Sequence, residues 1–282
     1  MRIAIIGAGR VASHLAPALK DCGHEVVEVW SKSRAAAAAL AERVGCRFMW
    51  GSLDVVTCEA DLYVIAVKDA VLADVIRQLH QGREQALMVH TAGSIPLSLF
   101  ADACHERGGV FYPMQTFSKE REVDFSRVHF FIEASKRDDE QLLMDLAIAL
   151  NDNETFVHRS TSSSRRQLHL AAVFACNFVN HCCTLADGLL ADAGLDFSVM
   201  LPLLEETVAK LHQLTPAEAQ TGPAARRDEN VMGLQRAMLA NRPDLQRIYT
   251  LLSSSIMNVE RGKKTHPQPL SFKEGSIITK YD

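Results

Sequence analysis

At 282 residues the chain is long enough for two domains of ordinary size, and its 48% apolar and 23% charged residues are the balance of a folded globular protein, not a disordered or fibrous one. The formal net charge of -4 offers no broad basic field to a phosphate backbone, which weighs against a nucleic-acid partner. The opening apolar run, Ile3 to Ile6, is too short for the core of a signal peptide, and no stretch has the roughly 18 uninterrupted apolar residues of a membrane span, so a cytoplasmic protein without a membrane partner is expected.

Residues 2–7 form a short apolar run without alternation, as in a parallel strand covered on both faces. A helix is predicted over 11–21, a strand over 25–30, and an alanine-rich helix over 33–44 with Ser33 as its cap. Strands follow at 47–50, 61–67 and 86–90, with a helix at 71–79. Next come a helix at 95–107, strands at 109–112 and 128–133, an amphipathic helix at 138–150 and a last strand at 154–158. Strand and helix in alternation predict an α/β fold, a doubly wound and mostly parallel sheet, over residues 1–158.

Beyond 158 the β-rich runs stop, and a smaller all-helical domain is predicted over 159–262. Residues 167–193 are apolar nearly all round, which predicts a helix buried in a core or an interface. Helices are expected at 197–214, 229–240 and 243–262, with a loop at 215–227, and residues 263–282 read as a polar tail. Seven cysteines, Cys22, Cys46, Cys58, Cys104, Cys176, Cys182 and Cys183, are odd in number and lack the paired spacing of zinc sites. They predict reduced, mostly buried thiols and no metal, since the adjacent His181, Cys182 and Cys183 would point apart on a helix.

The turn between the first strand and helix reads GAGRVA. Gly7 allows a tight turn, Gly9 lets backbone approach a pyrophosphate, and small Ala12 lets the helix pack on the strand, while Arg10 and Val11 open the helix whose amino end favours anions. In the context of repeated βα units this is a Rossmann dinucleotide fingerprint, although a plain glycine-rich connection has the same letters. NAD enzymes usually place a carboxylate at the end of the second strand; here stand Ser31, Lys32, Ser33 and Arg34. Hydroxyls and two cations suit a 2′-phosphate, which favours NADP, with NAD as the alternative and a solvated helix turn as the bland reading.

Together IIGAGRVA, AVKDAVL, VHTAGSIPL, GVFYPMQTFS, HLAAVFACNFVNH and AQTGPAARRDE make the chain resemble the Rossmann-like oxidoreductase relatives of pyrroline-5-carboxylate reductase and the deazaflavin-dependent NADP oxidoreductases, in a bacterial group with a C-terminal helical domain of unknown function. The resemblance covers residues 1–262. It implies that Ala66, Val67 and the loop after them, including Lys68 and Asp69, border the adenosine and pyrophosphate, and that His90, Thr91, Ala92 and Gly93 lie beside the nicotinamide. It also implies that Tyr112 to Thr116, with Gln115 as a candidate for chemistry, line the substrate side, and that the C-terminal helices form a homodimer. The chain departs from the group at Ala92, where serine is common, and at Arg227, where glycine is common. In the wider superfamily, β-hydroxyacid dehydrogenases pair a lysine with an asparagine one helical turn later; here Val173 precedes Asn177 and that mechanism does not transfer.

Hydride transfer is cofactor chemistry, and the protein must orient a substrate and manage one proton. His90 ends a strand where ligands of open α/β sheets collect. His169 carries an imidazole, a general acid–base candidate, and, eight residues before Asn177, falls about 80° from it around a regular helix. Each histidine also has a bland reading, His169 as a buried, hydrogen-bonded structural residue and His90 as a strand-end residue bonding a loop, and Thr221, Arg226 and Arg227 read as an anion-receiving loop or as solvated surface. The expected function is an NADP-dependent oxidoreductase acting on a small carbonyl, imine or hydroxy compound between the two domains. The alternative is a non-catalytic NADP-binding sensor.

Overall fold

A computed structural model describes residues 1–57 and 59–265, so Cys58 and positions 266–282 of the expected tail lie outside the described residues. The chain divides into two compact units, Met1–Val179 and a second from Asn180 onward.

The first unit holds one eight-stranded sheet in the order β3-β2-β1-β4-β5-β6-β7-β8. Its strands are β1 (Arg2–Ile6), β2 (Glu25–Ser31), β3 (Arg47–Trp50), β4 (Leu62–Ile65), β5 (Leu87–His90), β6 (Gly108–Met114), β7 (His129–Ala134) and β8 (Val157–Arg159). All neighbours are parallel except β6 and β7. Alternate residues of the strands feed two cores: Ile3, Ile5, Val64 and Val89 pack with α1 (Arg10–Asp21), α2 (Arg34–Val44) and α5 (Arg137–Asn151), whereas Ala4, Ile6, Ile65 and Met88 pack with α3 (Asp69–His80) and α4 (Ser98–Asp102). Burial on both faces is why these strands read as unbroken apolar runs. Chain order reverses between β1 and β4, the switch point at which open α/β sheets collect ligands.

The helix expected over 95–107 shrinks to the five residues of α4. Pro96 precedes it, and Cys104 leaves it in the left-handed region at φ +57°, with the amides of Cys104 and His105 closing on Ala101 and Phe100 at 2.9 Å. The cysteines also differ from expectation: none described is buried, and Cys104, Cys176 and Cys182 are exposed.

The long apolar helix begins at Ser162, earlier than expected, and runs to Asp192 as α6 (Ser162–Ala172), a π-helical segment (Val173–Phe178) and α7 (Val179–Asp192). No residue between 166 and 192 is buried, so its apolar surface enters neither core among the described residues. Among the described residues it is the one helix long and apolar enough to cross a membrane. The second unit continues with α8 (Leu201–Lys210), after a 3-10 turn at Phe197–Met200, then α9 (Pro223–Arg226), α10 (Glu229–Met238) and α11 (Pro243–Thr265). The expected loop at 215–227 thus contains a short helix begun by Pro223. Among its described residues only Ala224, Met232, Leu239 and Ser253 are buried.

Candidate functional site

Gly7 sits at φ +120°, and a Cβ there would lie 2.3 Å from the carbonyl oxygen of Ala66, so only glycine lets the ends of β1 and β4 come together. Gly9 differs: a Cβ would meet nothing of the protein nearer than 3.8 Å. Gly9 is the exposed N-cap of α1, makes no side-chain cap, and no acidic residue occupies the first turn. The first amides of α1 therefore face outward with the positive end of the helix dipole, an arrangement that receives a diphosphate. Arg10 is exposed beside them, Val11 is half-buried, and Ala12 packs at 1% exposure under the turn.

At the end of β2, Ser31 is half-buried while Lys32, Ser33 and Arg34 are exposed. The Ser33 hydroxyl accepts from the Ala36 amide and caps α2, as expected, and the Arg34 guanidinium lies 4.7 Å from the centre of the Trp50 ring. The acidic residue of this strand, Glu28, is committed elsewhere: it accepts from the Thr57 amide at 3.0 Å and pairs with Arg47 at 3.5 Å. Burial pushes its carboxyl above the usual range despite both partners. None of residues 31–34 is itself acidic.

The loops after β4 and β5 complete this edge. Ala66 is buried, Val67 half-buried and Lys68 exposed, and Ser94 donates to Asp69 at 2.6 Å, joining the two loops. The Thr91 amide donates to Ile65, extending the ladder past the end of β5, and the Ala92 amide donates to His90 Nδ1 at 3.2 Å. His90 is 0% exposed, its ring stacked at 5.7 Å on Phe100. Burial, reinforced by the nearby Arg165 cation, pushes its pKa down to about 3. It is a neutral ring inside the sheet's edge.

Two rings from distant parts of the chain meet above Gly93. A Cβ on Gly93 would lie 2.6 Å from His169 Nδ1 and 2.9 Å from Tyr112 Cζ, so the two rings close over the glycine. Tyr112 Oη and His169 Nδ1 are 3.1 Å apart, with the rings edge to face. Burial raises the Tyr112 phenol, with Arg165 acting in the opposite direction. Arg165, one turn before His169 on α6, is wholly buried, pairs with Glu133 of β7 and donates to the Ile95 carbonyl at 2.6 Å. Ser162 donates to the same carboxylate at 2.8 Å and accepts from the Leu97 amide at 2.9 Å. The amino end of α6 is thereby fastened to β7 and to the loop after β5, which places His169.

Of the residues singled out in the sequence, Gly7, Ala66, His90, Thr91, Ala92, Gly93 and His169 lie together at this edge. Gln115 is exposed just past β6, its Oε1 taken by the Thr116 amide at 2.8 Å, and lines a polar depression of about 540 Å³ with Arg121 and Arg127. Asn177 is exposed in the π-helical segment; wider i→i+5 turns advance less per residue than the regular helix assumed from sequence and bring it closer to the azimuth of His169. Thr221, Arg226 and Arg227 belong to the second unit, where Arg227 adopts φ +59° and donates to the Met257 carbonyl at 3.4 Å. Arg165 and Ser162 give no signal in the sequence because RSTSSSRR has the composition of a linker, and Glu133 reads only as the polar end of a strand. Among the described residues no three metal-ligating side chains gather.

Residues 1–113 match the Rossmann-like domain and residues 128–256 a domain of unknown function, DUF2520. A crystal structure from Bacteroides fragilis, provisionally assigned as an NADP oxidoreductase, is 47% identical over 91% of this chain and 98% of that one, with a TM-score of 0.85. A Thermotoga maritima protein is 18% identical over 93% of this chain and 99% of its own, at a TM-score of 0.68. Pyrroline carboxylate reductase from Plasmodium falciparum, with NADP bound, is 11% identical over 93% of this chain and 98% of its own, at 0.56. These last two share the fold. No curated protein matches the sequence.

Proposed function

The chain belongs to the family of Rossmann-like proteins that carry DUF2520, and from that premise we propose that it is an NADP-dependent oxidoreductase acting on a small carbonyl, imine or hydroxy compound. The observation that carries the reading is the uncapped amino end of α1 at the β1/β4 switch point, beside two cations and two hydroxyls with no free carboxylate. The assignment of the Bacteroides relative and the nucleotide in the Plasmodium reductase agree with it.

The site fits such a cofactor on the protein's own terms, since nothing in the fold requires glycine at position 9 and the space outside it is open. Gly7, Gly9, Arg10, Val11 and Ala12 would hold the diphosphate, and Ser31, Lys32, Ser33 and Arg34 the 2′-phosphate. Ala66, Val67, Lys68, Thr91, Ala92 and Gly93 would form the bed between them. When bound, the dinucleotide supplies the hydride. Of the two histidines, the half-buried His169 is the one able to reach a substrate, whereas His90 supports the loop beneath it. Gln115 and Asn177, both exposed polar groups, are the proposed substrate contacts.

Calorimetric titration with NADPH and NADH tests the reading. Arg34→Ala should weaken NADPH by about 10- to 100-fold, the worth of a charge-assisted hydrogen bond, and leave NADH nearly unchanged. Equal affinity of the unaltered protein for both nucleotides, or no heat with either, overturns it. A non-catalytic NADP-binding module is the second reading, favoured by Val173 where the wider superfamily keeps its lysine. Consumption of NADPH with members of a carbonyl and imine panel decides between them.

The reading includes a homodimer formed through the helical unit. Its support is the second unit's shortage of buried residues, while Leu203, Leu234, Met238 and Leu251 stand 62%, 69%, 83% and 71% exposed.

A further inference from the structure

Tyr112 Oη has one hydrogen-bonding neighbour among the described residues, His169 Nδ1 at 3.1 Å. A hydroxyl donates one proton and accepts through its lone pairs, whereas each nitrogen of a neutral imidazole does one or the other. If Nδ1 carried the ring proton, the half-buried phenolic proton would have no acceptor, a cost of the kind that buried polar groups avoid. Burial also keeps the phenol protonated. The pair is therefore arranged with Oη–H donating to Nδ1, which leaves the ring proton on Nε2.

Two observations make this orientation fixed. Gly93 leaves no slack, since both rings already fill the space that a Cβ would take. Arg165, buried and held by Glu133 and the Ile95 carbonyl, locks the turn of α6 immediately before His169. Nε2 has no partner among the described residues, so its proton is available outward.

We propose that Tyr112 is a positioning residue that sets the His169 tautomer, so that Nε2–H meets the substrate as a donor and the site takes a hydrogen-bond acceptor, a carbonyl oxygen or an imine nitrogen, for reduction. The proposal rests on the oxidoreductase reading for its reductant, a reduced nicotinamide. As hydride adds to the carbonyl carbon, the C=O π pair becomes the alkoxide lone pair and takes the Nε2 proton. Nδ1 takes the phenolic proton as Nε2 gives up its own, and the resting pair returns when water protonates Nε2 and Nδ1 hands its proton back to the tyrosinate, whose charge the nearby Arg165 cation favours meanwhile. The sum is one hydride and one solvent proton per carbonyl converted to alcohol.

The test is the tautomer itself, read by long-range proton–nitrogen correlations in the full chain labelled with nitrogen-15 histidine, without added nucleotide. His169→Gln identifies the His169 signals by their loss. In the unaltered protein His169 should carry its proton on Nε2, and Tyr112→Phe, which keeps the ring and removes the donor, should lower the Nε2–H to Nδ1–H ratio about five-fold, the loss of one neutral hydrogen bond. His90, whose Nδ1 accepts from the Ala92 amide, should stay in its Nε2–H form in both proteins and so reports that the fold is intact. A proton on Nδ1 of His169, or a ratio unmoved by Tyr112→Phe while His90 is unchanged, overturns the proposal. Because no nucleotide is present, failure to bind NADPH would defeat the cofactor reading separately.

Discussion

Glu133 and Arg165 lie 32 residues apart in sequence and form the ion pair on which the placement of His169 depends. Arg165 is 0% exposed and Glu133 17%, so neutralising one partner strands a charge where water cannot reach it. Glu133→Gln is expected to cost about 3 to 5 kcal/mol in denaturant unfolding. Adding Arg165→Met should recover part of that loss, and the double-mutant cycle measures how much. His90 makes a second prediction at this scale. Its folded pKa of about 3 lies below the ordinary 6.5, so the unfolded chain binds the proton first. The stability due to its neutral burial is complete above pH 6.5 and falls as pH drops toward about 3, by up to about 1.4 kcal/mol per unit. Burial lowers His24, His105, His129 and His158 in the same direction. His90→Leu should flatten the acid limb of the stability curve whatever its absolute cost, and an unchanged slope would mean another group governs it.

At the scale of elements, α1 illustrates both what the sequence discloses and what it withholds. Its apolar spacing predicts a helix straight through Pro17, although proline removes the amide that should bond Ser13. The structure supplies the missing donor from α2: Arg43 Nη1 reaches the Ser13 carbonyl at 3.1 Å. Arg43→Met leaves that carbonyl unpaired and should destabilise the protein by about 1 to 3 kcal/mol, measured by thermal unfolding. The sheet was legible because strands covered on both faces must be apolar throughout, and the turn after β1 because its geometry demands glycine at position 7 and a small residue at 12. The extent of α4 was not, since a left-handed Cys104 ended it where composition continued a helix. The cluster above Gly93 was only half legible: His169 stood out as a titratable group on a helix. Its partner Tyr112, 57 residues away, was marked only by the resemblance, as lining the substrate side, and its anchor Arg165, set in a serine-rich run, acquires meaning only when the sheet edge brings it to Glu133.

For the molecule as a whole, the two units differ in how they satisfy their apolar residues. The first closes two cores around one sheet. The second presents Leu234 and Met238 one turn apart on α10, and Leu251 and Leu252 on α11, to solvent. Burying a leucine or methionine side chain is worth about 1.5 to 3 kcal/mol, so leaving this many exposed forfeits more than a small unit can spare. In the proposed homodimer a second copy of the chain, offering the same surfaces, would satisfy them and close the assembly at two. Light scattering at micromolar concentration should therefore give about twice the 31.1 kDa of one chain. Leu234→Glu with Met238→Glu places two like charges on each face of the proposed contact and should yield monomers with a lower and concentration-independent melting temperature. A monomer in the unaltered protein, or a dimer indifferent to both glutamates, would move the interface off α10 and leave those apolar residues to another occupant.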